Sequence, residues 1–470
     1  MKTKILIYNW TPFGLEFKVG GGVAIYCKNL VEAILKENPA VEVYFLSSGF
    51  SYNASTTATF IRTVKECSTD RLHVFDIVNS PVPAEQRFIY PNPDIALKNN
   101  LLKTLFKDFL VTHGPFNTIH FNNLEGISLD IFDLKQDFID TTFIFSIHNY
   151  IPICLTGTYF RREINNKCNS THLAKDCLTC TKLNSIFNPI DLLWDKGCNM
   201  FPGVNPLEQT KWLRETGLLE LLRPPVESSF LNFSKEATAA LNKNCDYLLA
   251  VSQKVKDIAI ENGLNKDKLY TSYIGTQVAE YQLRKSSSLP SKNDLKILFL
   301  GSNAAYIEKG YQFLVDALRN LDLKYSRRLD LLFTTQDSSY VKILKHHLSS
   351  FKFKKVEIKV NYTHDELKQL CKDRDLSIIP VLWEDCLPQI AIESVANGVP
   401  ILCSSAGGAS ELTSNELFKF ECGNKKDLQD KIIYFLENPE KIDSYWEGHK
   451  GLVTLKDHYL ELAECYYKLK

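Results

Sequence analysis

The sequence predicts an α/β protein built as two doubly wound, Rossmann-like domains facing across a cleft, and three observations carry that expectation. The chain has 470 residues, too many for one ordinary hydrophobic core. In both halves, short apolar runs alternate with amphipathic stretches, the pattern of parallel sheets covered by helices. A polar, turn-rich stretch, Lys285 to Asp294 (KSSSLPSKND), separates the two series and reads as a linker. The expected organisation is a first domain over 1–280 with an insertion at about 150–240, a linker over 281–294, a second domain over 295–450 and a terminal helix over 451–470.

Composition narrows the class. Hydrophobic residues make up 44% and charged residues 23%, the balance of a globular protein. The formal net charge is zero, so a nucleic-acid partner, which calls for a basic excess, is not expected. The opening MKTKILIYNW has too short an apolar run for a signal peptide, and no run reaches membrane-spanning length. The expected location is cytoplasmic. There, thirteen cysteines mean thiols or metal ligands rather than disulfides.

In the first half, Lys4 to Trp10 reads as a strand and Thr11 to Val19 as a loop. Gly20-Gly21-Gly22 then opens a helix with Val23, Tyr26, Leu30 and Ile34 on one face. Glycines before a helix let an anion approach unpaired N–H groups at its positive end. Further strands are expected at Val41–Ser47, His73–Val78, Thr118–Asn122 and Phe143–His148, with the amphipathic stretch Leu101–Val111 among them. Later come a strand at Tyr247–Val251, an N-cap at Ser252, a helix stop at Asn262-Gly263 and a strand at Leu269–Ile274.

Residues 150 to about 240 exceed what such a domain needs. They hold Cys154, Cys168, Cys177 and Cys180, the last two as C-x-x-C. Four thiolates suit one structural zinc ion, and free thiols are the other reading.

The second half begins with a strand at Leu295–Leu300, then Gly301-Ser302, Lys309-Gly310 and a helix from Tyr311. A glycine turn with a lysine suits a diphosphate. Strands are expected at Leu329–Thr334 and Val356–Val360, and Thr363 with Glu366 fits a capping box. The basic run Lys352–Lys359 reads as a solvated edge, or as a contact for anionic lipid in a peripheral membrane association. Leu376–Val381 is a buried strand, Pro388 starts a helix in its first turn, Asn397-Gly398 stops it, and Pro400–Ser404 is the next strand.

Glu393 and the Gly398-Val399-Pro400 that follows resemble the donor motif of the family-4 retaining glycosyltransferases of group 1, which have the GT-B fold. That motif has two acids with seven residues between them; the first falls on Asp385, with Glu384 beside it. The resemblance implies sugar transfer from a nucleotide-sugar donor to a saccharide or lipid-linked acceptor, in cell-surface polysaccharide or glycolipid synthesis. It gives the ribose to Glu393. It gives the sugar to Asp385, Glu384 and the loop Cys386, Leu387, Pro388 and Gln389. The leaving diphosphate falls to Lys309, Gly301, Ser302, Gly21 and Gly22. His148 takes the place of the family's histidine that contacts the donor sugar. Ser302 departs from the family, which often has arginine there. The terminal helix is expected to cross back to the first domain, and no catalytic metal is expected. Epimerase or phosphorylase chemistry, or a non-catalytic nucleotide-sugar-binding scaffold, are the alternatives; Glu393, Lys309 and His148 together speak against a scaffold.

Overall fold

The computed structural model describes residues 3–15, 20–84, 94–154, 156–161, 166–168, 229–281, 294–301, 307–335, 340–349 and 351–469. The expected linker at 285–294, apart from Asp294, lies outside them, as do Ser302, Cys177, Cys180 and most of the 150–240 stretch.

Among the described residues the chain forms an eight-stranded sheet, a six-stranded sheet and a short two-stranded ribbon. The first sheet uses β1 (Thr3–Tyr8), β2 (Val41–Ser48), β3 (Phe60–Thr63), β4 (Leu72–Val78), β5 (Thr118–Phe121) and β6 (Thr142–Ile147). After the ribbon of β7 (Phe160–Arg161) and β8 (Asn166–Lys167), β9 (Tyr247–Ala250) and β10 (Leu269–Thr271) complete it. Its order is β10-β9-β6-β5-β1-β2-β4-β3. Every pairing is parallel except β3 on β4. The half-exposed edge strand β3, FIRT, was not expected, because four residues without alternation carry no periodic signal.

The second sheet holds β11 (Leu295–Phe299), β12 (Leu329–Thr335), β13 (Lys355–Val360), β14 (Leu376–Ile379), β15 (Ile401–Ser404) and β16 (Lys419–Phe420). Its order is β13-β12-β11-β14-β15-β16, all parallel. In each sheet the first strand lies centrally and the chain winds away from it on both sides. The order therefore reverses between β1 and β5 and again between β11 and β14. Loops at the C-terminal ends of such strands diverge and leave a crevice, where open α/β sheets bind ligands.

Local chemistry sets the element ends. Strand β14 stops at Ile379, before the expected Val381, because Pro380 has no N–H to continue the ladder. Strand β1 stops at Tyr8, and Trp10 turns out of the sheet. Ser252 caps its helix, its Oγ accepting from Val255 N at 3.3 Å. Pro388 is the N-cap of the helix Gln389–Ala396 rather than a residue of its first turn; its ψ of 124° is extended. Only half of the expected capping box forms: Glu366 accepts from Thr363 N at 2.9 Å, while Glu366 N donates to the Thr363 carbonyl.

The terminal helix Leu455–Glu461 and the π turn after it lie against the first domain. His458 Nε2 meets the Tyr26 hydroxyl at 2.8 Å, and Tyr467 Oη meets His120 Nδ1 at 2.7 Å. No helix among the described residues is long and apolar enough to cross a membrane. The basic run at Lys352–Lys359 gives no support to a lipid contact. Lys354 pairs with Asp294, Lys355 with Glu357 and Lys359 with Glu366, so much of its charge is neutralised locally.

Candidate active site

The loop leaving β14 is folded onto two glycines. Gly407 N donates to Glu384 Oε2 at 2.7 Å, and Gly408 N donates to the Asp385 carbonyl at 2.8 Å. Gly407 has φ of 74°, and a Cβ there would lie 2.4 Å from the Asp385 carbonyl oxygen. Only glycine lets the two turns come this close. Glu384 is therefore engaged in bracing the loop, whereas the resemblance assigned it to the sugar.

Asp385 instead faces the crevice partner. The Lys309 ammonium donates to Asp385 Oδ2 at 2.8 Å and lies 4.8 Å from the centre of the Trp383 ring. Lys309 is held there by Gly310, whose φ is 74°; a Cβ at Gly310 would fall 1.7 Å from the Pro380 carbonyl oxygen. Gly301 N, just after β11, donates to Thr334 Oγ1 at 2.9 Å.

Glu393 is buried in its helix, and desolvation pushes its carboxyl up to about 7. Leu387 and Cys386 are buried at the helix entrance, and burial pushes the Cys386 thiol up, away from thiolate. Gln389 reaches the other domain, its Nε2 donating to the Gly22 carbonyl at 3.0 Å. That bond sets the glycine loop against the helix that carries Glu393. Gly20 and Gly21, with φ of 85° and 58°, open their helix at this contact.

His148 follows β6 at the same edge. Asn122 turns its Nδ2 to the carbonyls of Tyr8 and His120, so its Oδ1 accepts from His148 Nε2, at 3.1 Å. On this network Nε2 carries the proton and Nδ1 keeps a lone pair. The ring packs on Tyr26, centroids 4.5 Å apart, and burial with the nearby His458 lowers its pKa to about 3. His148 is thus a neutral hydrogen-bonding group and not a cation.

Sequence reasoning missed several residues at this edge. Tyr26 and His458 back His148, and Glu125, Asn123 and Asn149 lie in the loops after β5 and β6. Glu411 joins the domains, accepting from Gln253 N at 3.0 Å, Lys254 N at 2.7 Å and the Tyr273 hydroxyl at 2.7 Å. The only local signal for these was the polar run after the expected strand Thr118–Asn122.

The zinc expectation finds no support among the described residues. Cys154 Sγ lies 3.2 Å from Thr156 Oγ1. No group of three or more His, Cys, Asp or Glu among those residues is arranged to hold a metal ion.

Comparison with known proteins agrees with this architecture. Residues 282–448 match the family described as glycosyl transferases group 1. The uncharacterized glycosyltransferase MJ1607 of Methanocaldococcus jannaschii is 25% identical over 164 residues, which are 32% of this chain and 40% of that protein. Among solved structures, sucrose-phosphate synthase from Thermosynechococcus elongatus superposes with a TM-score of 0.58 at 14% identity, covering 100% of this chain and 99% of that one. A glycosyltransferase from Rickettsia africae gives 0.56 at 16% identity, over 99% and 98% of the two chains. HepE from Anabaena, solved with UDP-glucose, gives 0.52 at 14% identity, over 98% and 95%. Residues 282–448 thus resemble the group 1 glycosyltransferases, and the chain as a whole has the GT-B fold.

Proposed function

We propose that this protein is a retaining, family-4-type glycosyltransferase that moves a sugar from a nucleotide-sugar to a saccharide or lipid-linked acceptor. A uridine donor is the first to try, since HepE was solved with UDP-glucose. The observation that carries the reading is the convergence of Lys309, Asp385, Gln389 and the Gly22 loop at the edges of both sheets.

In this reading Glu393 accepts hydrogen bonds from the ribose hydroxyls. The diphosphate lies between the glycine loop and the turn at Gly301, and Lys309 leaves Asp385 to neutralise charge developing on it. Asp385 is then free for the sugar. The loop N–H groups of Cys386 to Gln389 add donors at a helix start, where negative charge is favoured. His148 Nδ1 accepts from a hydroxyl of the sugar. No residue is assigned as general base; the leaving phosphate takes the acceptor proton on the same face, which retains configuration. No metal is assigned to the step, so added magnesium or manganese should change the rate little.

The test is turnover by the purified protein. UDP-sugars, then GDP- and ADP-sugars, are offered with an acceptor panel; nucleoside diphosphate release and product anomeric configuration are read by NMR. Acceptor-dependent release with a retained linkage is expected. Inverted product would sink the retaining assignment, and isomerised donor or sugar phosphate would replace transfer by epimerase or phosphorylase chemistry.

A further inference from the structure

The loops after β1, β5 and β6 form a second polar cluster at the reversal point of the first sheet. Asn149 Nδ2 donates to Glu125 Oε1 at 3.0 Å, and the side-chain amides of Asn9 and Asn123 are hydrogen-bonded to each other. The loop is pinned from below, since the Tyr8 hydroxyl donates to the Glu125 carbonyl at 2.6 Å. Glu125 is 8% exposed. Asn9 and Thr11 are each 1% exposed, yet one amide atom of Asn9 and the Thr11 hydroxyl find no partner among the described residues. Buried polar atoms are normally satisfied, and the unpaired Asn9 amide atom beside Asn123 leaves a place for a ligand's polar group.

The charge of the cluster selects the ligand. Asn9 to Leu15, Asn122 to Ser128 and His148 to Ile153 contain no lysine or arginine. His148 beside them is neutral, as argued above. A phosphorylated ligand requires cations or free helix N–H groups. A carboxyl group interleaved with amides suits hydroxyls, which both donate and accept.

We infer that Asn9, Asn123, Glu125 and Asn149 form the acceptor subsite, and that it takes the hydroxyls of a neutral saccharide rather than a phosphorylated sugar. This rests on the transferase reading and deepens it. Tyr150, next to Asn149, lies near Cys386, which brings this loop towards the loop after β14. Burial raises the Glu125 carboxyl to about 7.

The test separates acceptor from donor. The protein is first titrated with UDP, GDP and ADP by calorimetry. With the nucleotide that binds held at saturation, saturation-transfer NMR is run on neutral mono- to trisaccharides and on the matching sugar phosphates. Neutral members are expected to bind. Glu125→Gln and Asn149→Ala should each weaken them about tenfold, while nucleotide affinity, which also reports that the variants fold, stays as in the parent. Binding confined to sugar phosphates, no binding by any neutral member, or neutral binding unchanged in both variants overturns the subsite. Failure of all three nucleotides to bind overturns the transferase reading instead, and this inference with it.

Discussion

The Lys309 ammonium and the Asp385 carboxylate meet at 2.8 Å, although 76 residues separate them in the chain. Each comes from a loop after a strand at the reversal point of the second sheet. In the absence of donor, each is the other's counter-ion. On the proposed reading a diphosphate would compete for the lysine, coupling donor binding to release of Asp385. Lys309→Met should lower turnover by about a hundredfold, the scale of losing one preorganised group that stabilises developing charge. Thermal stability should barely move, because a half-exposed ion pair contributes at most about 1 kcal/mol. Nucleoside diphosphate release measured beside a melting curve checks both; normal turnover would remove Lys309 from the chemistry.

Glu393 links pH to stability and, on the proposed reading, to nucleotide binding. Its carboxyl is raised by burial to about 7, against an ordinary value near 4.5. Its contribution to stability is therefore fully present below about pH 4.5 and is lost as pH rises through about 7. The loss is about 3 kcal/mol for a shift of this size. Glu393→Gln should flatten that part of the ligand-free stability curve, with the Glu125 share remaining. Nucleotide affinity should run the other way in the parent, strengthening as pH rises through about 7, since ribose hydroxyls donate to the ionised form. In Glu393→Gln it should be about ten- to a hundredfold weaker and lack that inflection. Identical pH profiles for parent and variant would remove Glu393 from the ribose.

Glu411 makes a contact between the domains beside that of Gln389 with Gly22. Its carboxylate takes two N–H groups at the start of the helix Gln253–Glu261, a position where negative charge is favoured. Glu411→Ala should loosen the closed arrangement. Small-angle scattering should give a larger radius of gyration for the ligand-free variant, recovering towards the parent value with saturating nucleotide. The same radius in both proteins without ligand would mean that other contacts hold the cleft.

Tyr26 supports His148 from behind, its ring packed on the imidazole and its hydroxyl hydrogen-bonded to His458. Tyr26→Phe keeps the ring contact and leaves His458 Nε2 without that partner. Chemical denaturation should show a loss of about 1–3 kcal/mol, with only a small change in turnover. A large fall in turnover at unchanged stability would give the hydroxyl a role in the site.

Gly310→Ala should be among the most damaging single changes in the second domain. It puts a Cβ 1.7 Å from the Pro380 carbonyl oxygen at a positive φ. A strained backbone position of this kind costs about 1–3 kcal/mol before the clash is counted. A melting temperature within a degree of the parent would show that the turn relaxes freely.

What the sequence determined by itself was local. The apolar runs named most strands of both sheets, the glycines and prolines named their ends, and Ser252 and Asn397 marked helix termini. These features depend on side chains and dihedral preferences within a few residues, so they can be read along the chain. The motif around Glu393 and the Lys309-Gly310 turn were legible for the same reason. Tertiary structure decided the rest. It paired Lys309 with Asp385, spent Glu384 on the Gly407 turn, and brought His458 from the terminal helix behind His148. It also buried Glu125 among three asparagines from separate loops. Periodicity carries no trace of such meetings, since they depend on which loops the sheet order makes neighbours. Burial then sets the chemistry: removal from water, which no stretch of sequence states alone, neutralises His148 and raises Glu393 and Glu125 to about 7.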